Sequence, residues 1–112
     1  MKPQHPKLRV LYLNSRSLLS RPGGIKKATI LTQLIVQHKP HIIMCSETWL
    51  SPEKEPPTFK QYVVASRADR LDTGNGRGGG VIIFAHKKLK CIPILPKIQV
   101  RSSQVCGIKV GE

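Results

Sequence analysis

The sequence is poor in acidic residues. Only 6 Asp and Glu residues stand against 19 Lys and Arg residues, which gives a formal net charge of +13. Such an excess repels itself unless an anionic partner or counterions neutralise it, so nucleic acid is the expected partner. A surface that is basic only for solubility is the alternative interpretation.

Aromatic residues, clustered cysteines and long apolar runs are also scarce or missing. Aromatic residues make up 4% of the chain, which argues against a platform that stacks single-stranded bases. Cys45, Cys91 and Cys106 have no Cys-x-x-Cys spacing, so neither a disulfide framework nor a zinc site is expected. This cysteine usage predicts a reducing compartment. No window approaches the roughly 18 apolar residues of a membrane span, and no export signal is evident, so no membrane partner is expected.

The sequence is typical of one globular domain with much of its length in loops. It has 112 residues, 39% of them hydrophobic, with 9 Gly and 9 Pro. Residues 8–14 alternate between apolar and polar positions and predict a strand. Apolar positions three and four apart, from Ile25 to His38, predict one face of a helix that Pro40 ends. Residues 41–46 then predict a buried strand, which completes a strand–helix–strand unit.

The second half of the sequence predicts further strands. Residues 62–65 and 81–85 flank a glycine-rich turn and predict a hairpin. A phosphate cradle in these glycines is the less favoured alternative, because no helix pattern follows them. Residues 87–97 are basic and interrupted by prolines, and residues 98–110 predict one or two final strands. Five or six strands with a single helix would leave at least one sheet face uncovered.

Two oxygen-bearing side chains follow the first two predicted strands. Asn14 ends the first strand, and Glu47 comes directly after the second. A strand–helix–strand crossover joins parallel strands, so both carboxyl ends should lie at one edge of the sheet. Taken singly, Glu47 could be a surface acid and Asn14 a turn residue. Together they predict a shared site.

Three segments of the chain carry a more specific signal. They are Val10-Leu11-Tyr12-Leu13-Asn14-Ser15-Arg16-Ser17-Leu18, Ile42-Ile43-Met44-Cys45-Ser46-Glu47-Thr48-Trp49-Leu50 and Arg77-Gly78-Gly79-Gly80-Val81-Ile82-Ile83-Phe84. In this order they resemble the endonuclease/exonuclease/phosphatase superfamily, and more narrowly the endonuclease domain of non-LTR retrotransposon polyproteins. The resemblance spans roughly residues 8 to 110.

The resemblance implies a fold, a reaction and a set of site residues. The fold would be an α/β, four-layered (DNase I-like) sandwich, of which this chain supplies a mixed sheet with a strand–helix–strand start. The reaction would be phosphodiester hydrolysis in DNA that depends on Mg²⁺, with Mn²⁺ as the alternative ion. Glu47 would bind the ion and Asn14 would orient ion and phosphate, so both are the expected catalytic and metal-binding residues. The expected nucleic-acid contacts are Arg16, Arg77, Lys87 and Lys88.

By the same resemblance, the chain would be only part of a nuclease. The family's later tyrosine, Asp-x-Asn pair and Ser-Asp-His have no counterpart here. Residues 1–112, with a core over 8–110, would then be the amino-terminal half of the domain, truncated at its carboxyl end and weakly active or inactive. The remainder of a longer polyprotein would be a further partner, and the location would be intracellular and nuclear. His38, His41 and His86 are interpreted as packing or surface groups, because none is expected within reach of the site.

Two other interpretations stay open at this point. In the first, the chain is a non-catalytic, basic remnant that grips nucleic acid, and Trp49 only fills the core. In the second, it is a partial product of a mobile element and does not fold stably alone. The phosphate contacts of the first interpretation would be Arg67, Arg70, Arg77, Lys87, Lys88, Lys90 and Lys97.

Overall fold

A computed structural model describes residues 7–70, 78–94 and 104–111. Within them the chain adopts the predicted mixed α/β fold, with six strands and one α-helix. A short 3-10 turn, Pro22–Gly24, precedes the helix. The elements are β1 (Val10–Asn14), α1 (Lys27–His38), β2 (Ile42–Ser46), β3 (Tyr62–Ala68), β4 (Val81–His86), β5 (Cys91–Ile94) and β6 (Gly107–Val110).

Four of the strands form one mixed sheet in the order β1-β2-β4-β3. β1 and β2 run parallel, which confirms the strand–helix–strand unit. β4 runs antiparallel to both β2 and β3, which confirms that the two predicted hairpin strands pair. Most of the predicted glycine-rich turn, including Arg77, lies outside the described residues. β5 and β6 pair with each other in a separate antiparallel sheet that contacts β3.

The hydrophobic core lies between α1 and one face of the four-stranded sheet. Alternation along β2 turns Ile43 and Cys45 toward this core, and alternation along β4 does the same for Phe84. The ring of Phe59 meets that of Phe84 edge-on, with centroids 5.1 Å apart. Leu31 is the fully buried residue of α1. The buried cluster consists of Leu18, Leu31, Ile43, Cys45, Leu50, Phe59, Ile82 and Phe84.

The opposite face of the sheet is only partly covered. Val10 is 50% exposed, Tyr12 61% and Met44 37%, although all three lie on strands. Ile83 and Ala85 of β4 are buried on this same face. The sequence predicted a sheet face without an obvious cover, and β1 and Met44 have that character, whereas Ile42 of β2 is buried on this face.

Several boundaries differ from the predicted ones. The helix begins at Lys27, because Ile25 is extended after the 3-10 turn, and the Ile25 side chain is 55% exposed. His38 has the spacing of the packed helix face but is exposed at the last position of the helix. β5 was not predicted because it contains Pro93, and proline is tolerated only at the margins of sheets.

No helix among the described residues is long and apolar enough to cross a membrane.

Candidate functional site

The predicted site residues lie at the same edge of the sheet. Asn14 is the register partner of Ser46, and Glu47 is the next residue along the chain. Adjacent strands lie about 4.8 Å apart and rise about 3.3 Å per residue, so the Cα atoms of Asn14 and Glu47 are about 6 Å apart. We call this rim the Glu47 edge; it comprises the segments that follow β1, β2 and β3 and the start of β4.

The backbone ladder between β1 and β2 continues beyond the two strands. This matters because loops that follow strands usually diverge, whereas here backbone hydrogen bonds continue to link the two loops on both sides of Glu47. The Ser15 hydroxyl, which is buried, reinforces the ladder by donating to the Ser46 carbonyl at 2.7 Å. The Glu47 backbone is therefore fixed to the β1 loop. The continuing bonds run from Ser15 N to Ser46 O (2.8 Å), from Ser17 N to Glu47 O (2.8 Å) and from Leu18 N to Thr48 O (2.9 Å).

Positive backbone φ angles concentrate at this edge. Six described residues other than glycine have them, and four of the six lie here. A left-handed conformation costs an L-residue on the order of 1–3 kcal/mol and persists only where the surroundings impose it, often at functional sites. The four are Arg16 (39°), Ser17 (74°), Glu47 (54°) and Trp49 (56°).

Glycines at the start of β4 hold the Glu47 loop from its other side. The N–H of Thr48 donates to Gly80 O at 3.2 Å, and the N–H of Trp49 donates to Gly79 O at 2.9 Å. Gly80 has φ +93°, and a Cβ there would overlap Thr48 Oγ1. Glycine is required at this position because the buried Thr48 side chain occupies the space a larger residue would need. The second and third sequence motifs are thus parts of one structure.

The Glu47 side chain is half-buried and oriented by its neighbour. The indole Nε1–H of Trp49 donates to Glu47 Oε2 at 3.3 Å. Trp49 is itself half-buried and does not belong to the core cluster, so its interpretation as a core residue was wrong. The spacing of the two residues does not predict this hydrogen bond, because in a regular strand the side chains at positions 47 and 49 would share a face without such close contact.

The donor set at this edge suits a hard divalent cation. Glu47 Oε1 has no partner among the described hydrogen bonds, and Asn14 is exposed with an amide oxygen. Mg²⁺ is commonly held by one or two carboxylates together with water and substrate phosphate, so this small set fits the ion. Within the described residues, no group of three or more His, Cys, Asp and Glu residues could hold a metal ion. A cation here would therefore depend on water and phosphate for its remaining ligands.

The basic residues expected to contact nucleic acid do not all lie at this edge. Arg16 is exposed within the Glu47 edge. Lys87 and Lys88 follow β4, which runs antiparallel to β2, so they lie at the opposite edge of the sheet. Arg77 and Lys97 lie outside the described residues.

Two other basic side chains at the Glu47 edge bind protein groups. Lys27 Nζ donates to Ser15 O at 2.7 Å, which ties the start of α1 to the β1 loop. Arg67 pairs with Asp69 at 2.9 Å and also donates to Ser51 O. Both side chains therefore have a structural role here, and Arg67 is a weaker phosphate candidate than its charge alone suggests.

The three described histidines are remote from Glu47. His38 and His41 flank the link from α1 to β2, and His86 ends β4 and pairs with Tyr62, so all three lie toward the opposite edge. Nδ1 of His41 accepts from the N–H of Arg9 at 3.0 Å. These positions agree with the interpretation of the histidines as surface or packing groups.

No protein-family model matches the sequence, and no curated protein matches it.

Proposed function

We propose that the Glu47 edge is a divalent-metal site for phosphodiester hydrolysis in DNA, in a domain of the DNase I-like endonuclease/exonuclease/phosphatase kind. The observation that carries this proposal is the meeting of Asn14 and Glu47 at one rim of a parallel strand pair. The concentration of positive φ angles around them supports it, because such strain is typical of functional loops. The resemblance of all three motifs supplies the reaction class.

The roles of the side chains follow from their chemistry. Glu47 and Asn14 would hold the cation through hard oxygen atoms, and Trp49 would keep the Glu47 carboxylate oriented by its indole hydrogen bond. When bound, such a cation neutralises charge on the phosphate and on the departing oxygen. Arg16 adds a positive charge that attracts the phosphate to the same rim. In the reaction a water oxygen bonds to phosphorus, one P–O ester bond breaks, and the departing oxygen takes a proton.

Removal of the proton from the attacking water is the step for which these residues are least suited. The attacking water must lose a proton, yet the described histidines lie toward the other edge of the sheet. Asp69 at the Glu47 edge already pairs with Arg67. We therefore expect slow turnover, and a non-catalytic nucleic-acid-binding role is the second candidate.

Nicking of supercoiled plasmid tests the proposal. The chain should nick the plasmid with Mg²⁺ or Mn²⁺ and not with EDTA. Glu47→Gln should lower the rate at least about a hundredfold, because a lost ligand forfeits several kcal/mol of transition-state stabilisation. Glu55→Gln removes an equal charge from an exposed loop position and should leave the rate unchanged. DNA binding without metal-dependent nicking would reject catalysis and support the second candidate.

A further inference from the structure

The sheet edge opposite Glu47 is formed by four short segments. They are residues 7–9 before β1, 38–41 before β2, 60–62 at the start of β3 and 86–88 at the end of β4. The register brings them together, because β1 pairs parallel to β2, and β4 runs antiparallel to both β2 and β3. We call this rim the basic edge.

The basic edge has positively charged side chains and no negatively charged ones. Its four segments contain no Asp or Glu. The rim therefore has no carboxylate of its own to neutralise its cations or to repel an anion. Its six basic residues are Lys7, Arg9, Lys39, Lys60, Lys87 and Lys88, and its histidines are His38, His41 and His86.

Hydrogen bonds join the segments into one continuous surface. Arg9 Nε donates to Lys39 O at 2.9 Å, which satisfies a carbonyl at the end of α1. The N–H of His86 donates to His41 O at 2.9 Å, and the N–H of Lys87 donates to Gln61 O at 2.9 Å. The cations are consequently carried on a fixed frame rather than on independent loops.

Two histidine rings on this frame are oriented to donate a hydrogen bond through Nε2. Nδ1 of His41 accepts from the N–H of Arg9 at 3.0 Å, and Nδ1 of His86 accepts from the N–H of Lys88 at 3.1 Å. The neutral form of each ring must then carry its proton on Nε2, which is a hydrogen-bond donor. Lysine, arginine and these imidazoles all offer donors, and phosphate oxygens are acceptors.

We propose that the basic edge binds the phosphate backbone of nucleic acid, at a place separate from the Glu47 edge. Four strands about 4.8 Å apart make the rim about 14 Å wide, and duplex DNA presents one negative charge per about 1.7 Å. A 14 Å length of duplex therefore carries about eight phosphate charges, distributed around the helix, and the rim offers six basic side chains to those that face it. β2 separates the two edges by about 16 Å, from five residues at about 3.3 Å each.

The two edges differ in what they offer DNA when no divalent ion is present. Glu47 places a carboxylate at the Glu47 edge, where it repels phosphate, whereas the Asp69 carboxylate is paired with Arg67. The basic edge has no such group, so metal-free binding should occur there. This inference does not depend on the proposed metal site, because it concerns binding in the presence of EDTA.

The salt dependence of DNA binding tests the inference with matched variants. A short DNA duplex is titrated with the full chain in EDTA over a series of KCl concentrations. Lys87→Gln with Lys88→Gln should reduce the slope of log K against log salt by about 1.8, since each phosphate contact contributes about 0.9. Arg21→Gln with Lys26→Gln, at the amino end of α1, should leave the slope unchanged. All four side chains are exposed, and both variants lower the net charge from +13 to +11.

The other outcomes would overturn the inference. Equal losses in the two double variants would mean that net charge alone governs binding. A loss only in the Arg21 and Lys26 variant would move the binding surface to the other end of the sheet. Sedimentation with phosphatidylserine vesicles is the third arm: vesicle binding lost in the Lys87 and Lys88 variant, with DNA binding intact, would identify a lipid surface as the ligand. Circular dichroism should be unchanged in both variants.

Discussion

Glu47 and Trp49 both adopt left-handed backbone conformations, and their side chains hydrogen-bond to each other. At the residue scale this conformation is unfavourable by about 1–2 kcal/mol for each L-residue. Two backbone hydrogen bonds offset this penalty, from Ser17 N–H to Glu47 O and from Trp49 N–H to Gly79 O, each contributing about 1 kcal/mol. The strained loop is thus held by its partners rather than by local preference.

The sequence predicted Asn14 and Glu47 as residues at strand ends but not the conformation that orients Glu47. Alternation identifies where a strand stops, because the change from apolar to polar residues marks it. Positive φ at a glutamate has no such signature, since it depends on contacts from Gly79 and Gly80 more than thirty residues away. Trp49 was assigned to the core for the same reason.

Cys45 provides a residue-scale prediction about pH. Burial raises the pKa of its thiol from 9.0 to about 11. Between these values the unfolded thiol ionises while the native thiol stays protonated, so its contribution to stability is complete below pH 9.0 and is lost toward pH 11. The loss amounts to about 3 kcal/mol in the free energy of unfolding.

Urea denaturation of the wild-type chain and of Cys45→Ala checks this. We expect the wild type to be more stable below pH 9.0 and its advantage to shrink as the pH approaches 11. The variant should be less stable at neutral pH because it loses buried contacts. A constant difference between the two proteins across this pH range would show that the native thiol ionises normally.

At the element scale, the strand–helix–strand unit could be predicted and the packing of the hairpin against it could not. Regular spacing of apolar residues defines strands and helices locally. β5 escaped because Pro93 argues against a strand, and its pairing with β6 depends on residues far along the chain. The helix start was misplaced because Ile25 fits the helical spacing yet follows two glycines with positive φ.

Gly80 gives the element-scale prediction. Gly80→Ala should destabilise the fold more than Gly24→Ala, although the φ angles are similar at +93° and +84°. A Cβ at Gly24 meets nothing within 4 Å, so only the left-handed penalty of about 1–2 kcal/mol applies. A Cβ at Gly80 also overlaps Thr48 Oγ1, which should add about 1–3 kcal/mol.

Urea denaturation of the two glycine variants measures the difference. Gly80→Ala should also reduce metal-dependent nicking, because it displaces the loop that carries Glu47. If both variants lost the same free energy, the contact between Gly80 and Thr48 would not be what fixes this loop.

At the scale of the whole molecule, the two edges of one sheet carry different chemistry. The Glu47 edge carries the carboxylate of Glu47 and the amide of Asn14, whereas the four segments of the basic edge carry six basic residues and no carboxylate. Net charge was evident from composition, but its division between edges was not, because only strand order and direction assign each segment to an edge. Lys87 and Lys88 were expected to contact nucleic acid, and they lie across the sheet from the candidate site.

Quenching of Trp49 fluorescence by Mn²⁺ tests the central claim most directly, because Trp49 is the only tryptophan and contacts Glu47. We predict saturable quenching that Mg²⁺ reverses by competition, that Asn14→Ala weakens and that Glu55→Gln preserves. Glu47→Gln should abolish it. Quenching that survives unchanged in Glu47→Gln, or that never saturates in the wild-type chain, would contradict a cation site formed by Asn14 and Glu47.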